Sequence, residues 1–230
     1  PYEDDSQLGR AQTADISVLN DPTNIDLFDG LNVYYQGHSY DPATHCPGPI
    51  IPDARSDFAF VGTGFESRIE FFEREMALGC FDGVDATFAG FWEQLSAGSP
   101  IRKLLAHDIK QCVENQNAAE LYRATKSSMN LYRVEANRPE LAEGWAMGPR
   151  EVELAATGTF FLRDPRGEGD EVLHMLPTFD RDQPGDFAEK LSWWLSHDQQ
   201  REEAATSART AIADRTFEHA ARKLLSRLEN

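Results

Sequence analysis

Ser56-Asp57-Phe58-Ala59-Phe60-Val61-Gly62-Thr63-Gly64 is the stretch on which the rest of the chain turns. Its first six residues are a compact β-prone run, and the glycines that follow break it at once. An amphipathic stretch from Arg68 to Leu78 comes next, with Ile69, Phe72 and Met76 at spacings of three and four, so that they share one helical face. Ser67 and Glu70 stand at the Ser-x-x-Glu spacing of a capping box, which predicts a helix starting at Ser67. Strand, glycine turn, helix is the opening unit of a parallel α/β sheet.

The same alternation continues outward. Ile16 to Leu19 and Leu31 to Tyr35 are short β-prone runs near the start, and Pro42, Pro47, Pro49 and Pro52 mark a linker. Downstream, Ala86 to Ala89 predicts a strand, Asn115 to Ala124 a helix and Ser128 to Tyr132 a strand. Pro149 suits a first helical position, Gly158 suits the stop, and Thr159 to Leu162 is β-prone again. Asp186 and Glu189 repeat the capping spacing before a helix over Phe187 to Leu195. Two more helices are expected at Ala204 to Ala213 and Phe217 to Leu228, the latter with Ala220, Leu224 and Leu228 on one stripe. Short strands between longer helices predict an α/β fold, a Rossmann-like parallel sheet covered on both faces.

Among 230 residues, 22 are basic and 39 acidic, for a net charge of -17 and an isoelectric point near 4.7. That balance argues against an open surface tracking a nucleic-acid backbone, yet leaves room for a local basic pocket. With 40% apolar and 10% aromatic residues there is material for a sizeable core. No apolar run is long enough to span a bilayer, and Pro1-Tyr2-Glu3-Asp4-Asp5 lacks the features of a signal peptide. Cys46, Cys80 and Cys112 are widely spaced and odd in number, as for free thiols in a reducing compartment; the expected location is cytoplasmic. The histidines form no metal-ligand pattern with the cysteines, and no metal site is expected.

Two helix entrances carry the chemistry. Gly62, Thr63 and Gly64 bring backbone amides toward an anion, and Arg68 stands one turn into the helix beyond. A third glycine at dinucleotide spacing is missing, so a nicotinamide fingerprint is unsupported. In Gly148-Pro149-Arg150-Glu151-Val152-Glu153, Arg150 offers a donor fork to a diphosphate and Glu153 a carboxylate to a ribose diol. The plainer alternatives are a tight structural turn at the glycines and helix-dipole placement of the glutamates. Trp145 and Met147 are candidates for the wall of a base-binding cleft, whereas Trp193 and Trp194 read as packing. His38 and Asp41, near the linker, are weak catalytic candidates against ordinary turn chemistry.

Asn130-Leu131-Tyr132-Arg133 and Gly144-Trp145-Ala146-Met147-Gly148-Pro149-Arg150-Glu151-Val152-Glu153-Leu154-Ala155-Ala156-Thr157-Gly158 resemble the C-terminal segment of CgeB-like, spore-maturation-type glycosyltransferases. The likeness runs back to Phe58 to Gly64 with Arg68, and forward through Phe187 to Leu191 and Arg201 to Arg215-Thr216-Phe217-Glu218-His219.

The resemblance implies a GT-B enzyme, with two Rossmann-like lobes and a nucleoside diphosphate sugar held mainly by the C-terminal one. It implies that residues 1–42 are the end of an N-terminal lobe and a linker, 43–213 the donor-binding domain, and 214–230 a C-terminal helix. By motif position Glu153 would contact ribose, Arg150 the diphosphate, and Gly62 to Gly64 and Arg68 the phosphates. Cofactors and a catalytic metal are not implied, because amides and cations stabilise the departing diphosphate. Partners would be the nucleotide sugar, a hydroxyl-bearing acceptor, and a missing N-terminal lobe or a second copy; a DNA acceptor is disfavoured by the acidic charge. The alternatives are a non-catalytic nucleotide-sugar-binding lobe and a structural Rossmann-like module. Two departures stand out. Trp145 occupies the position of the first glutamate in the usual glutamate pair, with Glu143 and Glu151 at the right separation but displaced. Arg215 replaces a frequent histidine before Thr216.

Overall fold

The computed structural model describes residues 5–23, 25–135 and 144–229. In chain order its elements are α1 (Asp5–Ala11), β1 (Ser17–Leu19), β2 (Val33–Tyr35), β3 (Ser56–Val61), α2 (Glu66–Ala77), β4 (Ala86–Ala89), α3 (Asn115–Ala124) and β5 (Thr125–Asn130). They continue with α4 (Pro149–Thr157), β6 (Phe161–Arg163), α5 (Gly167–Val172), α6 (Asp186–Leu195), α7 (Asp198–Ala211) and α8 (Phe217–Leu228).

Strands β3 to β6 form one all-parallel sheet in the order β4-β3-β5-β6. Phe58, Ala59 and Phe60 are almost wholly buried, as a central strand covered on both faces requires. The order changes direction between β3 and β5. In such a sheet the crevice beyond the carboxyl ends of those two strands is where ligands bind. Strands β1 and β2 pair separately, also in parallel, with Ser17 opposite Val33.

An aromatic cluster cements α2 and α6 to the sheet. Phe72 meets Phe88 at 4.7 Å and Phe60 at 4.9 Å between ring centroids, while Phe187 meets Phe71 at 5.6 Å and Phe58 at 5.8 Å. Edge-on geometry dominates, as aromatic quadrupoles favour. The described part of the linker is fastened to α3, where Arg123 Nη1 donates to the carbonyls of Thr44 and Cys46 at 3.2 and 3.3 Å. Near the other end, the amide of Tyr40 donates to the Arg215 carbonyl at 2.9 Å and that of Phe217 to the Tyr40 carbonyl at 3.1 Å. The linker and the base of α8 are thereby clasped together.

Several boundaries differ from the sequence reading. Helix α2 begins at Glu66, and neither Ser67 nor Glu70 forms a capping box; the Ser67 amide is served instead by the Glu135 carboxylate at 2.6 Å. The Asp186–Glu189 box is likewise unused. Gly185, at φ 85°, precedes α6, and Asp186 accepts from the Asp180 amide and Lys190. β5 starts at Thr125 and ends at Asn130, earlier at both ends than expected, and α7 begins six residues before Ala204. The short helices α1 and α5 carry too little apolar periodicity to be read in advance.

Candidate functional site

The two helix entrances meet at the turning point of the sheet. Arg150, in the first turn of α4, reaches across to the end of β3, where its Nε donates to the Val61 carbonyl at 2.9 Å. Its Nη1 lies 3.4 Å from Asn130 Oδ1 at the end of β5. A Cβ on Gly62 would come within 2.4 Å of Arg150 Nη2, so glycine is what lets the guanidinium settle there. Arg68 joins from α2: Nε and Nη2 donate to the Leu131 carbonyl at 3.1 and 2.7 Å, and Nη1 to that of Thr63 at 3.0 Å.

Arg133 and Arg181 stand close enough to act on Arg68 as well. Burial, then repulsion from Arg150, Arg181 and Arg133, pulls the Arg68 guanidinium down to about 9, with the Glu135 carboxylate opposing. Arg181 is itself braced by Asp164 at 2.6 Å and by the Tyr132 carbonyl at 2.7 Å. A chain of net charge -17 thus places three guanidiniums around that of Arg68: Arg150 over the same Phe60 ring, Arg133 over the same Phe65 ring, and Arg181 on the carbonyl next to the one Arg68 uses.

The glycine turn works differently from the expected amide cradle. The Gly62 and Gly64 amides donate to the carbonyls of Ala89 and Phe91 at 2.9 and 2.8 Å, fastening the end of β3 to the end of β4. Gly64 is needed for close packing, since a Cβ there would meet Trp92 at 2.2 Å. Thr63 is half-buried between them. Both amides are therefore committed to the protein's own carbonyls. Glu153, one turn beyond Arg150 and under its influence, lies 4.0 Å from His45 Nε2; burial raises its carboxyl, with Arg150 opposing.

His38 and Asp41 are not brought together. Asp41 accepts from the Ala43 amide and the Thr44 hydroxyl at 3.0 and 2.8 Å, the turn chemistry that was the plainer expectation for that residue. His38 is instead near Glu168, Arg215 and Asp21, and burial lowers its pKa. Glu143 lies outside the described residues. Among those described, no cluster of histidine, cysteine and acidic residues could hold a metal ion, and no helix is long and apolar enough to cross a membrane.

The α4 entrance contains groups that the sequence did not single out. The amides of Ala146, Met147 and Gly148 donate in turn to Asp21 Oδ2 at 3.0 Å, Glu168 Oε2 at 2.7 Å and Glu151 Oε2 at 2.9 Å. Glu151 is fully buried and also accepts from the Tyr132 hydroxyl; burial lifts its carboxyl to about 7 despite that bond. Burial and the neighbouring carboxylate raise the Tyr132 phenol strongly. Arg166 lies over the Tyr132 ring, 3.8 Å from its centroid. Trp145 stands edge-on to Tyr35 at 5.9 Å and fills the space beside Gly167. The advance signals for Glu151 were its place near the positive end of the helix and its eight-residue separation from Glu143.

The fold has solved counterparts. Sucrose-phosphate synthase from Thermosynechococcus elongatus superposes with a TM-score of 0.64 at 11% identity, over 97% of this chain and 59% of its own. A trehalose-6-phosphate structure from E. coli, bound with UDP-2-fluoro glucose, gives 0.67 at 12% identity, over 98% and 63%. A glycosyltransferase from Rickettsia africae ESF-5 gives 0.64 at 10%, over 97% and 66%. The chain spans about three fifths of the length of the first two, and at these identities the likeness is one of fold. It places the parallel sheet in a GT-B architecture. No curated protein matches the chain. A family model described as glycosyl transferase-like matches residues 68–226, from Arg68 through Arg150 and Glu153 to α8, and by that match over more than two thirds of its length the chain belongs to this family.

Proposed function

We propose that the chain is the donor-binding lobe of a GT-B glycosyltransferase of the CgeB-like kind, which moves a sugar from a nucleoside diphosphate to a hydroxyl-bearing acceptor. In this reading residues 1–42 end an N-terminal lobe, 43–213 bind the donor, and 214–230 return toward the first lobe. The observation that supports it is the gathering of guanidiniums where α4 meets the end of β3: Arg150 on the Val61 carbonyl and over the Phe60 ring, Arg68 over the same ring, and Arg133 beside Arg68 over Phe65. Like charges held that close favour an anion between them. As the bond from sugar to diphosphate weakens, negative charge grows on the leaving oxygens, and fixed guanidiniums stabilise it without rearranging. Such a site needs no metal to do this. The neighbouring Glu153 carboxylate is suited to accept hydrogen bonds from a ribose diol.

The test is calorimetric titration of UDP, GDP, ADP and TDP into the chain and into Arg150→Ala. Loss of a charge-assisted contact should weaken binding by about 2 kcal/mol or more, roughly thirtyfold. Equal affinity in the two proteins would remove Arg150 from the site. The cytoplasmic setting suggested by the unpaired cysteines belongs to the same proposal, since nucleotide sugars are made in that compartment.

A further inference from the structure

We infer that Glu168 is a positioning residue for the α4 entrance, holding it in register with the clasp between the linker and α8. The inference rests on the donor-binding reading and adds to it a residue that touches neither of the proposed donor contacts. Glu168 is 3% exposed, and both of its oxygens are engaged by different parts of the chain. Oε2 accepts from the Met147 amide at 2.7 Å, and Oε1 from Arg215 Nη2, also at 2.7 Å. Its own amide donates to the Trp145 carbonyl at 2.8 Å, so residues 145 to 147 are gripped twice from α5.

Arg215 is part of the clasp, because its carbonyl receives the Tyr40 amide. The linker passes directly over the ion pair: a Cβ on Gly37 would lie 2.6 Å from Arg215 Nη1 and 3.3 Å from Glu168 Oε1. One buried carboxylate on α5 therefore ties together Met147 and Arg215, which are remote in sequence, beneath the passing linker.

The link to the site is short and stiff. Met147 is followed by Gly148, the fixed ring of Pro149 and then Arg150, so a displaced Met147 amide carries the start of α4 with it. Stability alone is a poor reason for this arrangement, since a buried ion pair recovers little of its desolvation cost and apolar packing serves as well. What an apolar replacement cannot do is accept from the Met147 amide and from Arg215 at once.

Three substitutions separate the roles. Glu168→Ala removes both acceptors, Glu168→Gln keeps an oxygen for the Met147 amide without the charge, and Arg215→Met removes only the arm to α8. The measurements are the affinities for UDP, GDP, ADP and TDP, and hydrogen exchange at the Met147 amide in the full chain. Glu168→Ala should weaken the preferred diphosphate about tenfold or more and Arg215→Met by less, while Glu168→Gln stays within about threefold of the parent. Met147 exchange should be slow in the parent and in Glu168→Gln, and fast in Glu168→Ala.

Parent-like affinity in both Glu168→Ala and Arg215→Met overturns the inference. So does a Glu168→Gln variant as weak as Glu168→Ala, or a fall in melting temperature across all three with unchanged affinity of the folded fraction. If Glu168→Ala does not fold, parent-like affinity in Arg215→Met overturns it and weakened affinity supports it. If the parent binds none of the four diphosphates, the donor reading falls by itself. The positional link is then judged by exchange, supported by fast Met147 exchange confined to Glu168→Ala and overturned by equal exchange in all variants.

Discussion

A single carboxyl group shows how far burial can work against a charge. Glu151 caps the start of α4 through the Gly148 amide and accepts from the Tyr132 hydroxyl, yet full burial lifts it from the ordinary glutamate value of 4.5 to about 7. Its folded value lies above its unfolded one, so its contribution to stability is complete below about pH 4.5 and is lost as pH rises through about 7. Glu151→Gln keeps a neutral side chain of the same shape and should remove that slope. The parent should lose about 2–3 kcal/mol more than the variant between about pH 5 and about pH 8, measured by urea unfolding. An identical difference in the two proteins would mean that Glu151 ionises freely. This environment was not legible in advance, because it depends on Tyr132, brought in from just beyond β5. Arg68 and Arg150 were legible as residues near helix starts. Their engagement with the carbonyls of Leu131, Thr63 and Val61 was not, since those partners are set by how the sheet closes.

At the scale of elements, helix α4 was fully readable. Pro149 opens it, a small apolar face of Val152, Ala155 and Ala156 buries it, and Gly158 ends it at φ 78°. That left-handed turn favours glycine and makes a clean test. Gly158→Ala should cost about 1 kcal/mol, seen as a lower melting temperature, while nucleotide affinity of the folded protein stays unchanged. A loss of affinity without a loss of stability would mean that the far end of α4 communicates with its start. β3 and β4 were also legible, because a continuous apolar run flanked by turn formers has few other fates. β5 was harder. Thr125-Lys126-Ser127-Ser128 carries little apolar signal, and its place in the sheet comes from pairing with β3, where Ser56 lies opposite Thr125. The capping boxes failed for a related reason: a carboxylate from elsewhere, Glu135, reached the Ser67 amide in place of the local side chain.

Over the whole molecule, charge sets how a ligand arrives. On the proposed reading, a net charge of -17 would repel an approaching nucleoside diphosphate at long range, whereas the arginines around Arg68 would attract it only on close approach. Raising ionic strength from about 20 mM to about 200 mM shortens the screening length and should suppress the long-range repulsion more than the contact attraction. The association rate, followed by stopped-flow fluorescence, should therefore rise with salt. A rate that falls with salt would mean that the local cations dominate the far field. Topology adds a consequence of its own. Because Tyr40 and Thr216 lie side by side, the polypeptide comes into the sheet-bearing unit and goes out of it at the same spot. Ends that meet make the 41–215 stretch a closed circuit of the chain, and Asp21 on the Ala146 amide and Tyr35 against Trp145 pin that circuit to the residues before it at two further places.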